Sequence, residues 1–225
     1  NFINDAIQQL DGALGLPSST GRAEEVARQS FFSRINYSHN GKYLFEVNVR
    51  RDGSSRFGAS NQYGNFPSAS AGWRISQERF FRNKFKWINN MKLRVSLGVT
   101  GNDNIRNYVP YQTYNTANAY NIGGGVVTGV AINSLANPRV QWEEVQQTNI
   151  GADMAFLRNK LTVTLDYYVK NSSKVLYRNL PVPASIGVTN LAAENAADMR
   201  NSGLEFAINY QGKSKKLNYS IGVSG

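Results

Sequence analysis

Residues 145 to 170 hold two consecutive runs of alternating polarity, and this pattern commits the middle of the chain to β structure. In the second run Leu161, Val163, Leu165, Tyr167 and Val169 share one face, while Thr162, Thr164, Asp166, Tyr168 and Lys170 share the other. A period of two is the mark of a strand. In the first run Thr148, Ile150, Ala152, Met154 and Phe156 oppose Gln147, Asn149, Gly151, Asp153 and Ala155. Each run has about the roughly nine to eleven residues that a tilted strand needs to cross a bilayer. Only Leu157-Arg158-Asn159-Lys160 separates them, so the pair reads as a transmembrane hairpin.

Six more runs alternate in the same way, near residues 31–38, 43–51, 69–76, 91–99, 203–211 and 217–224, alongside 145–156 and 161–170. Asn40-Gly41 supplies the positive φ angles of a tight turn between the first two. Residues 1–30 read as a loop with a helical turn near 23–28, and a short helix is expected through Glu78 to Arg82. The connections alternate strictly between shorter (39–42, 77–90, 157–160, 212–216) and longer (52–68, 100–144, 171–202). Short turns at one end and long loops at the other are how outer-membrane barrels are built.

The apolar faces carry essentially no charge within the strands, with Arg51 placed at a strand end. The opposite faces hold Arg34, Glu46, Arg50, Arg74, Lys92, Arg94, Asp153, Asp166 and Glu205. An Arg or Lys facing lipid near the midplane costs about 2–4 kcal/mol, so such faces suit a lipid-facing wall. The expected fold is therefore all-β, an antiparallel up-and-down transmembrane β-barrel segment of about eight strands. A soluble β-sandwich, with its apolar face in a core, predicts similar alternation but explains the loop asymmetry less well. A self-contained small barrel also stands as an alternative, since eight strands can close.

No apolar run approaches the roughly 20 residues of a spanning helix, so a membrane protein of this composition must be a barrel. Twelve Tyr and eleven Phe suit strands and interfacial aromatic girdles. The net charge of +10 raises nucleic-acid binding, which needs cations gathered on one face among stacking aromatics. Here they lie scattered over turns, such as Lys213, Lys215 and Lys216, and over polar strand faces, which argues against that class. Without cysteine there are neither disulfides nor thiolate metal sites. The chain starts at Asn1 without a secretory leader and stops at Gly225 directly after a strand-like run, so both ends read as cut.

No catalytic constellation stands out, and neither a metal site nor a cofactor is expected. The single His39 sits beside the Asn40-Gly41 turn, so Ser/His/Asp chemistry lacks its parts. Glu143 and Glu144 are adjacent on a strand and point opposite ways, unlike the paired carboxylates of a glycosidase. Gly101-Asn102-Asp103-Asn104 reads as a turn, lacking the spaced ligands of a calcium loop. Gly123-Gly124-Gly125 reads as flexibility. Tyr108, Tyr111, Tyr114 and Tyr120 crowd the longest loop, where rings with a polar handle suit sugar stacking or partner contact; packing among loop neighbours is the plainer reading. Arg56 is expected to hydrogen-bond carbonyls or carboxylates.

Several stretches resemble one family. Arg51-Asp52-Gly53-Ser54-Ser55-Arg56-Phe57-Gly58, then Phe66 to Ser76 with Trp73, Leu93 to Asn102, Asn137 to Glu143 with Trp142, Asp166-Tyr167-Tyr168 and Arg200 to Glu205 are similar to the barrel of SusC/RagA-type TonB-linked outer membrane proteins. The similarity spans roughly residues 31–210 in the family's order. It implies a barrel of about 22 strands around an N-terminal plug that contacts the TonB complex. It further implies a multi-pass location in a Gram-negative outer membrane, in contact with lipid. Import of oligosaccharides or peptides with a SusD-like surface lipoprotein follows from the same likeness. The chain has no room for the plug, so residues 1–225 are expected to be part of the barrel alone, with 52–68, 100–144 and 171–202 outside the cell. In this likeness Asp52, Gly53, Ser54, Ser55, Arg56, Phe57, Gly58, Trp73 and Trp142 are structural motif residues.

Overall fold

In a computed structural model the described residues are 23–178, 183, 185, 192–214 and 217–225. They form ten strands: β1 Arg28–His39, β2 Tyr43–Ser54, β3 Tyr63–Trp73, β4 Ile88–Asn102, β5 Thr113–Ile122, β6 Gly125–Ser134, β7 Glu143–Phe156, β8 Leu161–Tyr177, β9 Glu194–Ser214 and β10 Leu217–Ser224. Eight of them make one antiparallel sheet in the order β1-β2-β3-β4-β7-β8-β9-β10, so each strand pairs with its neighbour along the chain except where β5 and β6 leave as a separate hairpin. The expected twin runs are β7 and β8, paired from Glu144↔Ser173 to Phe156↔Leu161.

The apolar face of this sheet lies open. Ile35 is 69% exposed, Leu204 79% and Ile221 66%, and Phe45, Val47, Leu97, Ile150 and Leu165 are exposed with them. A sandwich would cover this face with a second sheet, so the sandwich alternative fails. The small closed barrel fails too, because β1 and β10 are the two edges and do not pair with each other. A large apolar surface of this kind calls for a nonpolar neighbour. The polar face carries ion pairs instead: Arg34 with Glu46 at 3.3 Å, and Arg94 with Asp153 at 2.8 Å and with Asp166 at 3.1 Å.

The strands outrun their expected ends, and all three long loops shrink. β2 reaches Ser54 and β3 starts at Tyr63, so only 55–62 remain of the expected 52–68 loop. The β3–β4 ladder begins only at Ser68↔Gly98, so Pro67 within β3 needs no donor on that side. Arg51 is consequently inside β2, with its guanidinium 4.9 Å from the Tyr63 ring centroid. β8 continues to Tyr177 and β9 starts at Glu194, which cuts into the expected 171–202 loop. Pairing with β7 carries the polar stretch Asn171 to Ser173 into the sheet against its local propensity, and the ladder to β9 shifts register between Ser172 and Val175, where Lys174 has a φ of 57°. The 100–144 loop contains the β5–β6 hairpin, and its glycines form the turn: Gly123 and Gly124 have φ of 63° and 83°, where a side chain would be strained. This corrects the flexible reading of Gly123-Gly124-Gly125.

Residues 23–27 have no regular secondary structure, and the expected helical turn gives way to β1 at Arg28. The short helix exists as α1, Arg79–Lys84, one residue later than expected and preceded by a 3-10 turn at Ile75–Gln77. Buried apolar side chains gather at the long-loop end, in a cluster of Phe57, Phe66, Ile105, Val109, Val140, Trp142 and Ala193.

Candidate functional site at the long-loop end

The Asp52 to Gly58 motif closes the β2–β3 connection and ties it to two other loops. Arg50 pairs with Asp52 at 2.7 Å near the end of β2. Ser54 is fully buried and donates through Oγ to Asp103 Oδ2 at 2.8 Å. Arg28 forks onto the same carboxylate, with Nε and Nη2 each 2.9 Å from an oxygen. Asp103 is thus a structural acceptor at the end of β4, and the Asn102 side chain accepts from the Asn104 N–H at 3.0 Å to complete the expected turn. Ser55 binds Ala27 in both directions, through its N–H at 3.0 Å and its Oγ at 2.9 Å. Arg56 donates to the Asp103 carbonyl at 3.0 Å and to Asn107 Oδ1 at 3.1 Å.

Trp142 holds the other side together. Its ring lies 5.0 Å from that of Phe57 and 5.4 Å, edge to face, from that of Phe66, and its Nε1 donates to the Gln62 carbonyl at 3.3 Å. The Phe66 ring fills the space over Gly64 and Gly101: a Cβ at Gly101 would lie 2.0 Å from it. Gly53 similarly admits the Tyr63 ring, and Gly58 packs close to the Pro138 carbonyl. Asn137 donates to the Ala193 carbonyl at 2.9 Å, and Asn195 receives the Gln141 N–H at 3.0 Å, bringing the β8–β9 connection into the cluster. The motif residues therefore converge on one hub. Trp73 is the exception, far away at the short-turn end.

Beside the hub opens a cavity of about 610 Å³ lined by Arg56, Arg106, Asn107, Tyr108, Tyr111 and Arg178, among others. Tyr108 has a φ of 64° and its hydroxyl accepts from the Glu25 N–H at 3.1 Å; Tyr111 is exposed. Tyr114 and Tyr120 do not join them. They belong to β5, where the Tyr120 ring lies over Gly129 of β6. Sequence reasoning missed Arg106, Asn107 and Arg178. Arg178 is 74 residues from its partner, the Asn104 carbonyl, and no local pattern announces that meeting. Guanidinium, amide and phenol groups around an open cleft can bind polar ligands through directed hydrogen bonds and ring faces. His39 lies at the opposite end as the last residue of β1, beside Tyr37 and Asn40.

At that opposite end Glu78 accepts from Lys42 at 3.1 Å, from the Tyr43 hydroxyl at 2.9 Å and from Trp73 Nε1 at 3.4 Å. The Lys42 hydrogen bond first, and then that of Tyr43, hold its carboxyl below the ordinary range. A depressed carboxyl stabilises the fold above its unfolded pKa, and the contribution disappears as pH falls through the lowered value. Glu78→Gln is therefore expected to lower the thermal midpoint at neutral pH, and the two proteins are expected to converge as pH falls through the lowered Glu78 value. A melting series across pH checks this.

An antiparallel meander with one open apolar face, one charged face, short turns at one end and a loop hub at the other is the wall of a transmembrane β-barrel. Residues 2–225 match the family described as TonB dependent receptor-like, beta-barrel, and the chain belongs to it. It is 38% identical over 209 residues to TonB-dependent receptor P39 of Formosa agariphila, covering 92% of this chain and 20% of that protein. With TonB-dependent receptor SusC of Bacteroides thetaiotaomicron it shares 32% identity over 197 residues, or 86% of this chain and 19% of that one. The RagAB peptide importer in its closed-closed state superposes with a TM-score of 0.79 at 27% identity, over 98% of this chain and 25% of the other. The chain thus spans about a fifth of the length of its curated relatives, and its eight-stranded sheet is part of a larger barrel.

Proposed function

We propose that the chain is wall and extracellular loops of an outer-membrane importer energised through the TonB complex, multi-pass in a Gram-negative outer membrane. A plug of the kind the resemblance implies would carry the TonB contact. A SusD-like surface lipoprotein would act at the long-loop end. The observation that carries this reading is the open apolar face on a meander whose long loops are built into a hub beside a polar cavity. The cargo class is oligosaccharide or peptide: ring faces at Tyr108 and Tyr111 suit sugars, whereas Arg56, Arg106 and Arg178 suit peptide carboxylates. Tyr114 and Tyr120, out on the β5–β6 hairpin, are assigned to partner contact.

The intact mass of the polypeptide from its native membrane tests the importer. A mass several times the 25.0 kDa of this chain supports it, and a mass near 25.0 kDa leaves eight strands that cannot transport. The cavity assignment has its own test. Replacing both Tyr108 and Tyr111 with Ala in the full receptor should weaken cargo binding by roughly tenfold, at about 0.5–1.5 kcal/mol per ring contact, with the melting temperature kept. Binding titrations with oligosaccharide and peptide pools read the effect and name the cargo; unchanged affinity for both refutes the assignment.

A further inference from the structure

The short-turn end of the wall is strongly one-signed. The connection between β3 and β4 exposes Arg79, Arg82, Lys84 and Lys86; the next turn exposes Arg158 and Lys160, and β9 brings Lys213 beside them. Along the sequence these cations read as scattered, but the meander sets their connections side by side. The Arg158 N–H donates to Asn89 Oδ1 at 2.7 Å, and the Gln211 N–H to the Lys160 carbonyl at 2.7 Å, so the turns are laced to their neighbouring strands. Among the described residues none of these seven cations has a carboxylate in ion-pair range, unlike Arg28, Arg34, Arg50, Arg94 and Lys174 elsewhere on the wall. The acid of these connections, Glu78, is already occupied by Lys42 at 3.1 Å.

Aromatic rings mark the level of this rim. Tyr43 stacks on Trp73 at 6.5 Å, Trp87 on Phe156 at 5.5 Å, and Tyr210 lies 6.2 Å from Tyr219, all at strand ends on this side. Trp87 is 65% exposed. Rings with an apolar body and a polar tip settle at the headgroup level of a bilayer. A cation adjoins them on the water side: Lys42 next to Tyr43, Arg74 next to Trp73, Lys86 next to Trp87, and Arg158 two residues past Phe156.

We propose that this rim is a binding belt for the phosphate groups of anionic lipids in the leaflet at the short-turn end. The inference rests on the reading of the open face as lipid-facing. A free phosphate ion would need donors converging in one cleft, whereas these cations are spread over three connections, which suits a surface of many headgroups.

The test uses the full-length receptor in nanodiscs of phosphatidylcholine alone and in discs that also contain phosphatidylglycerol, with retained lipids counted by native mass spectrometry. Phosphatidylglycerol should be retained over phosphatidylcholine, and the preference should fall as salt rises, since each cation near an anionic surface gives roughly a fivefold gain. Combining Arg79→Gln, Arg82→Gln, Lys84→Gln and Lys86→Gln should cut the preference at least about tenfold. Equal retention of both lipids by the native protein, or a preference indifferent to salt, overturns the belt without requiring any variant to fold. Loss of the retained phosphatidylglycerol to inorganic phosphate at matched ionic strength would assign a free-anion site and overturn it as well. A receptor that enters neither disc refutes the lipid-facing wall itself, a result distinct from entry into both discs without preference.

Discussion

Replacing Trp142 with Ala is expected to destabilise the long-loop end by about 3–5 kcal/mol, the usual cost of emptying a large aromatic site. The ring contacts both Phe57 and Phe66, and its indole N–H donates to the Gln62 carbonyl alongside the Ser54 N–H, so packing and a hydrogen bond disappear together. Phe66 cannot slide into the space easily, since it already fills the gap over Gly64 and Gly101. Trp142→Phe should cost less, about 1–2 kcal/mol, because most of the apolar body remains. Trp73→Ala is the comparison: that ring stacks on Tyr43 and donates weakly to Glu78 at a strand end, and about 1 kcal/mol is expected. Barrels commonly unfold irreversibly, so the comparison is best read as unfolding rates in detergent, together with protease cleavage of the 103–142 segment. Similar losses for Trp142 and Trp73 would move the centre of the loop architecture away from the hub.

The wall was legible because each strand repeats one instruction every second residue. Leu161 to Val169 needs no distant partner to announce its face, and the apolar faces carried through to the structure except toward the long-loop end, where Arg51 on β2 and Arg200 on β9 fall within the lengthened strands. What local pattern could not supply was pairing. Asn171 to Ser173 and Gly64 to Pro67 look like loop, yet neighbouring strands take them into ladders. The β5–β6 hairpin stayed hidden because Asn115, Asn121 and the glycines dilute its alternation. In the site, the motif around Arg56 was readable as structural, but its partners were not. Asp103 meets Arg28 and Ser54 across 75 and 49 residues, and the cavity arises only when three loops meet. Four tyrosines close in sequence part company in space: Tyr108 and Tyr111 line the cavity, whereas Tyr114 and Tyr120 belong to β5 of the separate hairpin.

On the polar face, the largest single effect is expected at Arg94. Its guanidinium forks onto Asp153 at 2.8 and 3.0 Å and reaches Asp166 at 3.1 Å, so one cation on β4 serves two carboxylates on β7 and β8. Asp166 also stands opposite Glu205 of β9, and Thr164 donates to Asp153 at 3.4 Å. Arg94→Ala removes the counter-ion and leaves acids crowded on adjacent strands. Breaking a fully buried pair costs about 3–5 kcal/mol; the partial solvent access of this site reduces the expected loss to about 2 kcal/mol. Arg94→Lys should restore only part, since a point charge cannot fork to both acids. If the loss comes from stranded carboxylates, then adding Asp153→Asn and Asp166→Asn to Arg94→Ala should recover stability rather than lower it further. Urea unfolding of the four proteins in one detergent decides between the two. Recovery assigns Arg94 the task of neutralising the polar wall, and a further drop assigns its value to the hydrogen bonds that lock β4, β7 and β8 in register.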